Sequence, residues 1–430
     1  MDRYDFDSMD SAALPPEESL QHADAPFAAD GRDILAAFAL YVLAYLYLWH
    51  LGDSRLVLAV FALGFVGLGE LLHWERARTR ESWFWLGCVG VITLGACLGR
   101  QSVWDIGQQF LFLHLAAVYW LLSRAELLYE GETGRLILFD GASGFLLYPF
   151  RRFFLRIRTL IFALARPFRG GEKGKKAALL WSLLALLAAG GLFLAALKLL
   201  TAADAGFASL SHRFLDRLQF DGSFFLQLIL GLPVGAYLFS LLAGTRREDR
   251  EKLRERGGKL AAFLDSLRRV PNAVWTVLAL LFCLLYLVFF VVQARYLFGA
   301  FTRTLPEGFN VAHYARRGFF ELCQVMGVNF VLFWLVTRTS LREARENRFS
   351  LTVCCVLLAE SLLFAVVAFS KLALYIDCFG FTPLRLQSSW LVCVLFAGCI
   401  AAGVSLLSGR KTLRPWVFFA SASLSLLCLF

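Results

Sequence analysis

The sequence predicts an all-α fold, a polytopic transmembrane helix bundle of about eleven spans with its N-terminus in the cytoplasm and its C-terminus outside. Hydrophobic residues make up 59% of the 430 residues and charged residues only 18%, too few to cover a soluble protein. Apolar runs long enough to cross a hydrocarbon core of roughly 30 Å recur along the chain. A bilayer offers backbone polar groups no water, so each run is expected to be a helix.

The charge pattern predicts the orientation of these spans. The predicted spans are 34–51, 56–74, 83–98, 103–122, 177–200, 224–243, 273–296, 319–336, 351–372, 390–407 and 416–430. The N-terminal segment and the even-numbered loops hold 32 Lys and Arg residues, against about 9 on the other side. Cytoplasmic loops carry the excess of basic residues, so the N-terminus is predicted inside. If a span in the middle of the chain were missed or added, the basic residues would no longer be concentrated on one side of the membrane.

The spans divide the chain into four parts. Residues 1–33 form an acidic tail with no basic segment ahead of an apolar stretch, so we expect a disordered cytoplasmic tail and not a signal peptide. Residues 34–124 carry four spans and residues 177–430 carry seven. Residues 125–176 are a long cytoplasmic loop that connects the two groups of spans.

The connecting loop contains an amphipathic segment, FRRFFLRIRTLIFALARPF, at residues 150–168. Its apolar residues recur at helical spacing, and its arginines lie to the side of that stripe. This pattern is typical of a helix in the membrane interface. We expect anionic lipid headgroups to bind at Arg151, Arg152, Arg156 and Arg158. The alternative is a short connecting helix packed on the bundle.

A second long loop, residues 245–270, is rich in charges of both signs and contains Gly257 and Gly258. It predicts a solvated helical hairpin, and a docking surface for a cytoplasmic protein partner is the alternative. We expect no nucleic-acid partner and no cofactor. The ten cysteines lie almost entirely within apolar runs without CxxC spacing, so no disulfide framework or metal site is expected.

Polar side chains inside or at the edge of the spans are the best indicators of function, because a charge in hydrocarbon costs several kcal/mol. Most lie at the outer ends of the seventh to ninth predicted spans. The candidate ligand-binding residues are Gln293, Arg295, Tyr296, Tyr314, Arg316, Arg317, Glu321, Glu360, Lys371, Tyr375, Asp377 and Arg385. No catalytic residue is assigned.

Helical spacing groups these candidates. Tyr314, Arg317 and Glu321 share one face of the eighth span, and Glu360 and Lys371 are three turns apart on one face of the ninth. Facing each other, the two stripes would form an outward-facing polar cavity with cations at its mouth. Such a cavity suits a phosphate, a carboxylate or a lipid headgroup. The alternative is that these groups form buried ion pairs that hold the helices in register.

Three motifs, QARYLFG, LPEGFNVAHYARRGFFEL and KLALYIDCFGFTPLRL, begin at residues 293, 305 and 371. They resemble those of a bacterial multi-pass membrane family called domain of unknown function 4173. The resemblance extends from about residue 202 to Arg385, and it implies a multi-pass protein of the bacterial plasma (inner) membrane. Lys371 stands where the resemblance implies Arg, which keeps the charge but not the bidentate geometry. Phe379 and Phe381 replace a Tyr and a Leu.

These observations favour a transporter, flippase or lipid-handling protein with an outward cavity for an anionic ligand. The alternative is a membrane sensor or scaffold subunit that signals through the loop at 245–270. A third hypothesis is an intramembrane transferase, for which His313, Glu321 or Glu360 would have to act as the base. The chain is not expected to be an enzyme.

Overall fold

A computed structural model describes residues 29–49, 55–98, 103–165, 222–292, 294, 311–341 and 343–430. Within these ranges the chain folds into α-helices joined by short turns, with one isolated bridge between Val270 and Ser340. The all-α prediction is therefore confirmed for the described residues.

The helices are numbered in chain order. They are α1 (Gly31–Trp49), α2 (Arg55–Leu72), α3 (Arg80–Cys97), α4 (Ile106–Ala125), α5 (Ile137–Ala142), α6 (Tyr148–Arg151), α7 (Leu155–Ala165), α8 (Gly222–Arg246), α9 (Arg250–Ser266), α10 (Asn272–Val292), α11 (Val311–Thr339), α12 (Arg348–Phe379), α13 (Pro383–Ser408) and α14 (Leu413–Leu427). A π-helical turn, Ser143–Leu147, joins α5 to α6, and a 3₁₀ turn, Ala344–Glu346, precedes α12.

Eight described helices are long and apolar enough to cross a membrane: α1, α2, α4, α8 and α10 to α13. They correspond to the first, second, fourth and sixth to tenth predicted spans, and they identify the chain as an integral membrane protein. The third and eleventh predicted spans are the helices α3 and α14. The predicted fifth span, 177–200, lies outside the described residues.

Helix α14 has only 15 residues, yet it lies beside α3 along the whole length of that helix. Near the start of both helices, Arg414 Nη2 is 3.0 Å from Glu81 Oε2. One turn further, the rings of Phe418 and Phe84 stack with centroids 4.1 Å apart. At the far end of α3, the main chain of residues 428 and 429 packs directly on Gly95. The two helices are therefore parallel and reach the same depth.

One end of the bundle holds a network of ion pairs and is called here the basic end. It consists of the start of α1, the turns that follow α2, α4 and α8, and helix α9. At its centre the buried Arg124 guanidinium contacts Glu70 and donates to the carbonyl oxygens of His73 and Arg76, at 2.7 and 2.9 Å. Arg76 in turn donates to the carbonyl oxygens of Ala125 and Arg246, the last residues of α4 and α8. These bonds join α2, α4 and α8.

The first residues of α1 belong to this network and not to the predicted tail. The helix begins at Gly31, whereas the sequence placed the end of the tail at residue 33. The buried Asp33 lies 2.7 Å from Arg247 Nη2 and 3.5 Å from Arg246 Nη1. A buried carboxylate needs such partners, so α1 is tied to the end of α8. Residues 1–28 lie outside the described residues.

The hairpin prediction for residues 245–270 is wrong. Helix α9 runs without a break from Arg250 to Ser266 and passes through both glycines. A Cβ at Gly257 would lie 2.6 Å from the carbonyl oxygen of Tyr129, so this glycine permits close packing of the two segments. An ion pair between Arg250 and Glu126, at 2.7 Å, holds the start of the helix.

The amphipathic segment also differs from the prediction, because it forms two helices, α6 and α7, separated at residues 152–154. Most of its apolar stripe is exposed, with Phe150 at 60% and Phe154 at 68%, whereas Leu155 is buried. Arg156 is buried: its Nε donates to the carbonyl oxygen of Ala37, and its guanidinium lies 4.8 Å from the ring of Tyr41. The apolar stripe faces outward while this arginine faces the bundle.

The buried apolar residues form two clusters. The first is built from α1 to α4, α7 and α8, and it includes Cys428 just after α14. The second is built from α10 to α13. The packing therefore groups α8 and α14 with the first four helices, although the sequence placed them with the C-terminal seven spans.

The Arg124→Ala substitution is expected to destabilise the protein by roughly 3 kcal/mol, because it leaves two carbonyl oxygens in the basic end without this donor and removes the buried one of the two guanidinium groups that pair with Glu70, the other being Arg78. Thermal unfolding of the purified protein in mild detergent would measure the effect. Arg254→Ala is the control, since Arg254 is exposed on α9, and it should change stability by less than about 0.5 kcal/mol. Equal melting temperatures of the two variants would contradict the role of Arg124.

Candidate functional site

The opposite end of the bundle, formed by the start of α11, the end of α12 and the start of α13, holds part of the predicted polar set. Lys371 on α12 is fully buried against Gly318 of α11. The charge of Glu321, one turn further along α11, acts on the Lys371 ammonium. These contacts join the adjacent helices α11 and α12 at the end of the bundle opposite the basic end.

Glu360 lies much deeper than Lys371. Eleven residues separate the two along α12, which corresponds to about 16 Å of helix. The Glu360 carboxyl contacts the Cys283 thiol of α10, and its Oε2 atom is buried with no hydrogen-bond partner in the described part of the chain. Glu360 and Lys371 thus lie at different depths of the bundle, and neither lines either of the two cavities described below.

A neutral polar cluster lies near the depth of Glu360. The Tyr286 hydroxyl donates to Asn329 Oδ1 at 2.6 Å, and Asn329 Nδ2 donates to Ser361 Oγ at 2.8 Å. The cluster connects α10, α11 and α12 in the second apolar core. These residues are not among the ligand-binding residues predicted from the sequence, although an Asn inside an apolar span is itself a signal of an interhelical hydrogen bond.

The side chains of six predicted ligand-binding residues lie outside the described part of the structure. Gln293, Arg295 and Tyr296 lie outside the described residues. Tyr314, Arg316 and Arg317 belong to the helical backbone of α11, but their side chains also lie outside the described part of the structure. Asp377 is exposed in the last turn of α12.

A cavity of about 530 Å³ opens at the opposite end, in the size range of small-molecule sites. Three helices and the segment before α4 contribute to it. Its lining residues are Trp104, Phe319, Phe320, Leu372, Tyr375, Thr382, Leu384, Arg385, Gln387, Ser388, Trp390 and Leu391. Of the predicted ligand-binding residues that the structure describes, Tyr375 and Arg385 line this cavity.

Five of the twelve described lining residues are aromatic and three are leucines, and Arg385 is the one basic residue in this lining. The indole rings of Trp104 and Trp390 meet edge to face, with centroids 5.8 Å apart. The Arg385 guanidinium lies 4.2 Å from the centre of the Tyr375 ring and donates to the carbonyl oxygen of Gly380. An apolar wall beside a single guanidinium suits an amphiphile with an anionic group better than a small hydrophilic anion.

A known protein family matches most of the chain, including the residues that line this cavity. The family described as Domain of unknown function (DUF4153) matches residues 86–430. The chain belongs to this family. The resemblance to domain of unknown function 4173 was wrong in its number, although right in indicating an uncharacterised family. The DUF4153 match begins within α3, well before residue 202, and it includes Trp104 and every other residue of the cavity. No curated protein and no solved structure matches the chain.

A buried carboxyl group outside the spans is a further feature that the sequence analysis missed. Asp140 on α5 accepts a hydrogen bond from the backbone N–H of Tyr129 at 2.9 Å, while its Oδ2 atom is buried and has no hydrogen-bond partner among the residues that the structure describes. Burial, together with the nearby carboxylates of Glu130 and Glu81, raises the pKa of Asp140 to about 7. The π-helical turn begins three residues later.

Asp140 predicts a pH dependence of stability. Its pKa in the folded protein lies above the ordinary value of 3.8, so the folded state binds this proton more tightly. The stabilisation is complete below pH 3.8 and is lost as the pH rises through about 7. Between about pH 6 and pH 8 the wild type should lose about 1 kcal/mol. Thermal unfolding at the two pH values should show a smaller difference for Asp140→Asn, and an unchanged difference would refute the assignment.

The close contact between Gly318 and Lys371 predicts that a larger residue at position 318 destabilises the protein. A Cβ at position 318 would lie 2.5 Å from Lys371 Nζ and 3.3 Å from its Cδ, so Gly318→Ala must displace a buried lysine. We expect a loss of roughly 1–3 kcal/mol in thermal unfolding. Gly327→Ala on the same helix meets no atom within 4 Å and should be neutral or slightly stabilising. Similar behaviour of the two variants would contradict this packing.

Proposed function

We propose that this protein is a transporter, flippase or other lipid-handling protein that binds a membrane amphiphile with an anionic headgroup. The observation that carries the proposal is the aromatic cavity at the opposite end with Arg385 inside it. The apolar wall would hold the hydrocarbon part of the ligand, and the guanidinium would bind the anion.

The rim of the cavity supports a lipid-like ligand. Phe320 and Leu384 line the cavity and are 50% and 72% exposed. Exposed apolar side chains at the edge of a membrane bundle contact acyl chains, so the cavity would be open to lipid. Thr382, Gln387 and Ser388 supply hydrogen-bonding groups beside Arg385 for a polar headgroup.

The orientation of the proposed site follows from the charge pattern. We place the basic end in the cytoplasm because Lys and Arg accumulate in cytoplasmic loops. The cavity then opens on the outer side of the membrane. A bacterial plasma membrane is the proposed location, which keeps the expectation from the sequence motifs.

Binding is tested with a short-chain fluorescent phosphatidylglycerol and the purified protein in neutral detergent. Arg385→Gln should raise the dissociation constant about tenfold, because it removes a charge-assisted hydrogen bond. Arg385→Lys should recover part of the affinity, since it keeps the charge. Phe396→Ala is the control: Phe396 lies on the same helix, partly exposed, and does not line the cavity.

Unchanged affinity of Arg385→Gln would refute the proposed site, provided that the variant elutes as a folded protein. The same measurement with phosphatidylcholine, whose headgroup is neutral overall, should show little dependence on residue 385. Transport is separated from binding by Glu360→Gln. This substitution removes the deep carboxyl group and should slow lipid transfer in reconstituted vesicles without changing affinity.

A membrane sensor or scaffold is the second candidate. The observation that favours it is the exposed face of α9, where Phe263 is 58% exposed among charged residues. An exposed aromatic residue on a charged helix is typical of a protein-docking surface. Phe263→Ala should abolish copurification of a cytoplasmic partner and leave lipid binding intact. Loss of lipid binding in this variant would count against a separate docking role.

A further inference from the structure

A second, smaller cavity of about 120 Å³ lies at the basic end, between α6, the end of α8 and the start of α9. Five of its lining side chains are basic: Arg151, Arg152, Arg247, Lys252 and Arg256. Two are acidic, Glu248 and Asp249. The lining cations outnumber the lining carboxylates by three, and by two when Asp33, which pairs with Arg247 at 2.7 Å, is included, so the cavity is positively charged.

The carboxylates in the cavity do not neutralise it. Glu248 lies 2.9 Å from Arg151 Nη1 and 3.6 Å from Arg152 Nη2, so one carboxylate serves two guanidinium groups. Asp249 caps the start of α9 by accepting backbone N–H groups, and Lys252 Nζ is 3.7 Å from it. An exposed ion pair of this kind contributes little to stability, so the Lys252 ammonium group remains accessible to an anion.

The position of the cavity matches the depth of phospholipid phosphates. The apolar span of α8 ends at Arg246, and the cavity begins at the next residue. The headgroup layer directly borders the hydrocarbon core. Phe150 and Phe154 are exposed on the same α6–α7 segment that supplies Arg151, so acyl chains attached to a bound phosphate would meet an apolar surface.

We infer that this basic cavity binds a phosphate group, carried by an anionic phospholipid or by a soluble phosphate compound. Guanidinium groups bind phosphate oxygens in bidentate fashion, and lysine adds a mobile point charge. The residues of this cavity differ in part from the four arginines that were predicted from the sequence to bind lipid headgroups. Arg156 is buried against α1, whereas Arg247, Lys252 and Arg256 come from the other long loop.

The experiment uses the full-length protein in neutral detergent and the double variant Lys252→Gln/Arg256→Gln. Both residues are exposed on α9, so their replacement should not unfold the protein. Binding of short-chain phosphatidylglycerol is measured in an Arg385→Gln background, which weakens the cavity at the opposite end. Each lost charge should weaken binding about fivefold, and the effect should shrink at high salt. Arg254→Gln is the control, because Arg254 is exposed on the same helix but does not line the cavity.

Inorganic phosphate is the second probe and distinguishes the source of the group. Competition by millimolar phosphate would support a soluble phosphate compound, and binding of phosphatidylglycerol without such competition would support a lipid headgroup. Equal affinities of the double variant, the Arg254→Gln control and the parent protein would overturn the inference. Because residue 385 is varied separately, failure here is distinguishable from failure of the proposed function.

Discussion

Charged groups are costly in hydrocarbon, and this constraint explains how the polar residues of the bundle are arranged. Arg124 illustrates it, because this buried guanidinium at the end of α4 contacts Glu70 and two backbone carbonyl groups. Asp33 and Arg247 pair at the same end for the same reason. The helices that these pairs join, α1, α2, α4 and α8, all contribute apolar faces to the first core.

In the second core, polar side chains form hydrogen bonds with one another and fewer of them are charged. Asn329 satisfies its side chain through Tyr286 and Ser361, so three helices are joined by neutral hydrogen bonds in the middle of the bundle. Glu360 differs, since one of its oxygen atoms is buried with no hydrogen-bond partner among the described residues. A carboxyl group in such a position is costly to retain for packing alone.

The two cavities lie at opposite ends and differ in chemistry. The larger one is aromatic with Arg385 as its cation, and the smaller one is lined by five basic side chains. Both combine cations with exposed apolar side chains nearby, and the two binding proposals rest on this arrangement. The predicted polar stripes did not lead to either cavity directly. Lys371 is buried between helices, while Trp104 and Trp390, which were not selected, form a wall of the larger cavity.

The sequence by itself determined the helical class, most of the membrane-crossing segments and the segregation of charge, because hydrophobicity and helical period are local properties of the chain. The tertiary structure decided which helices are neighbours. It showed that Gly257 permits close packing and does not break a hairpin, that Arg156 faces the bundle, and that α14 lies beside α3. Such contacts join residues far apart in the chain, and they depend on the shapes of whole helix faces, which no local pattern records.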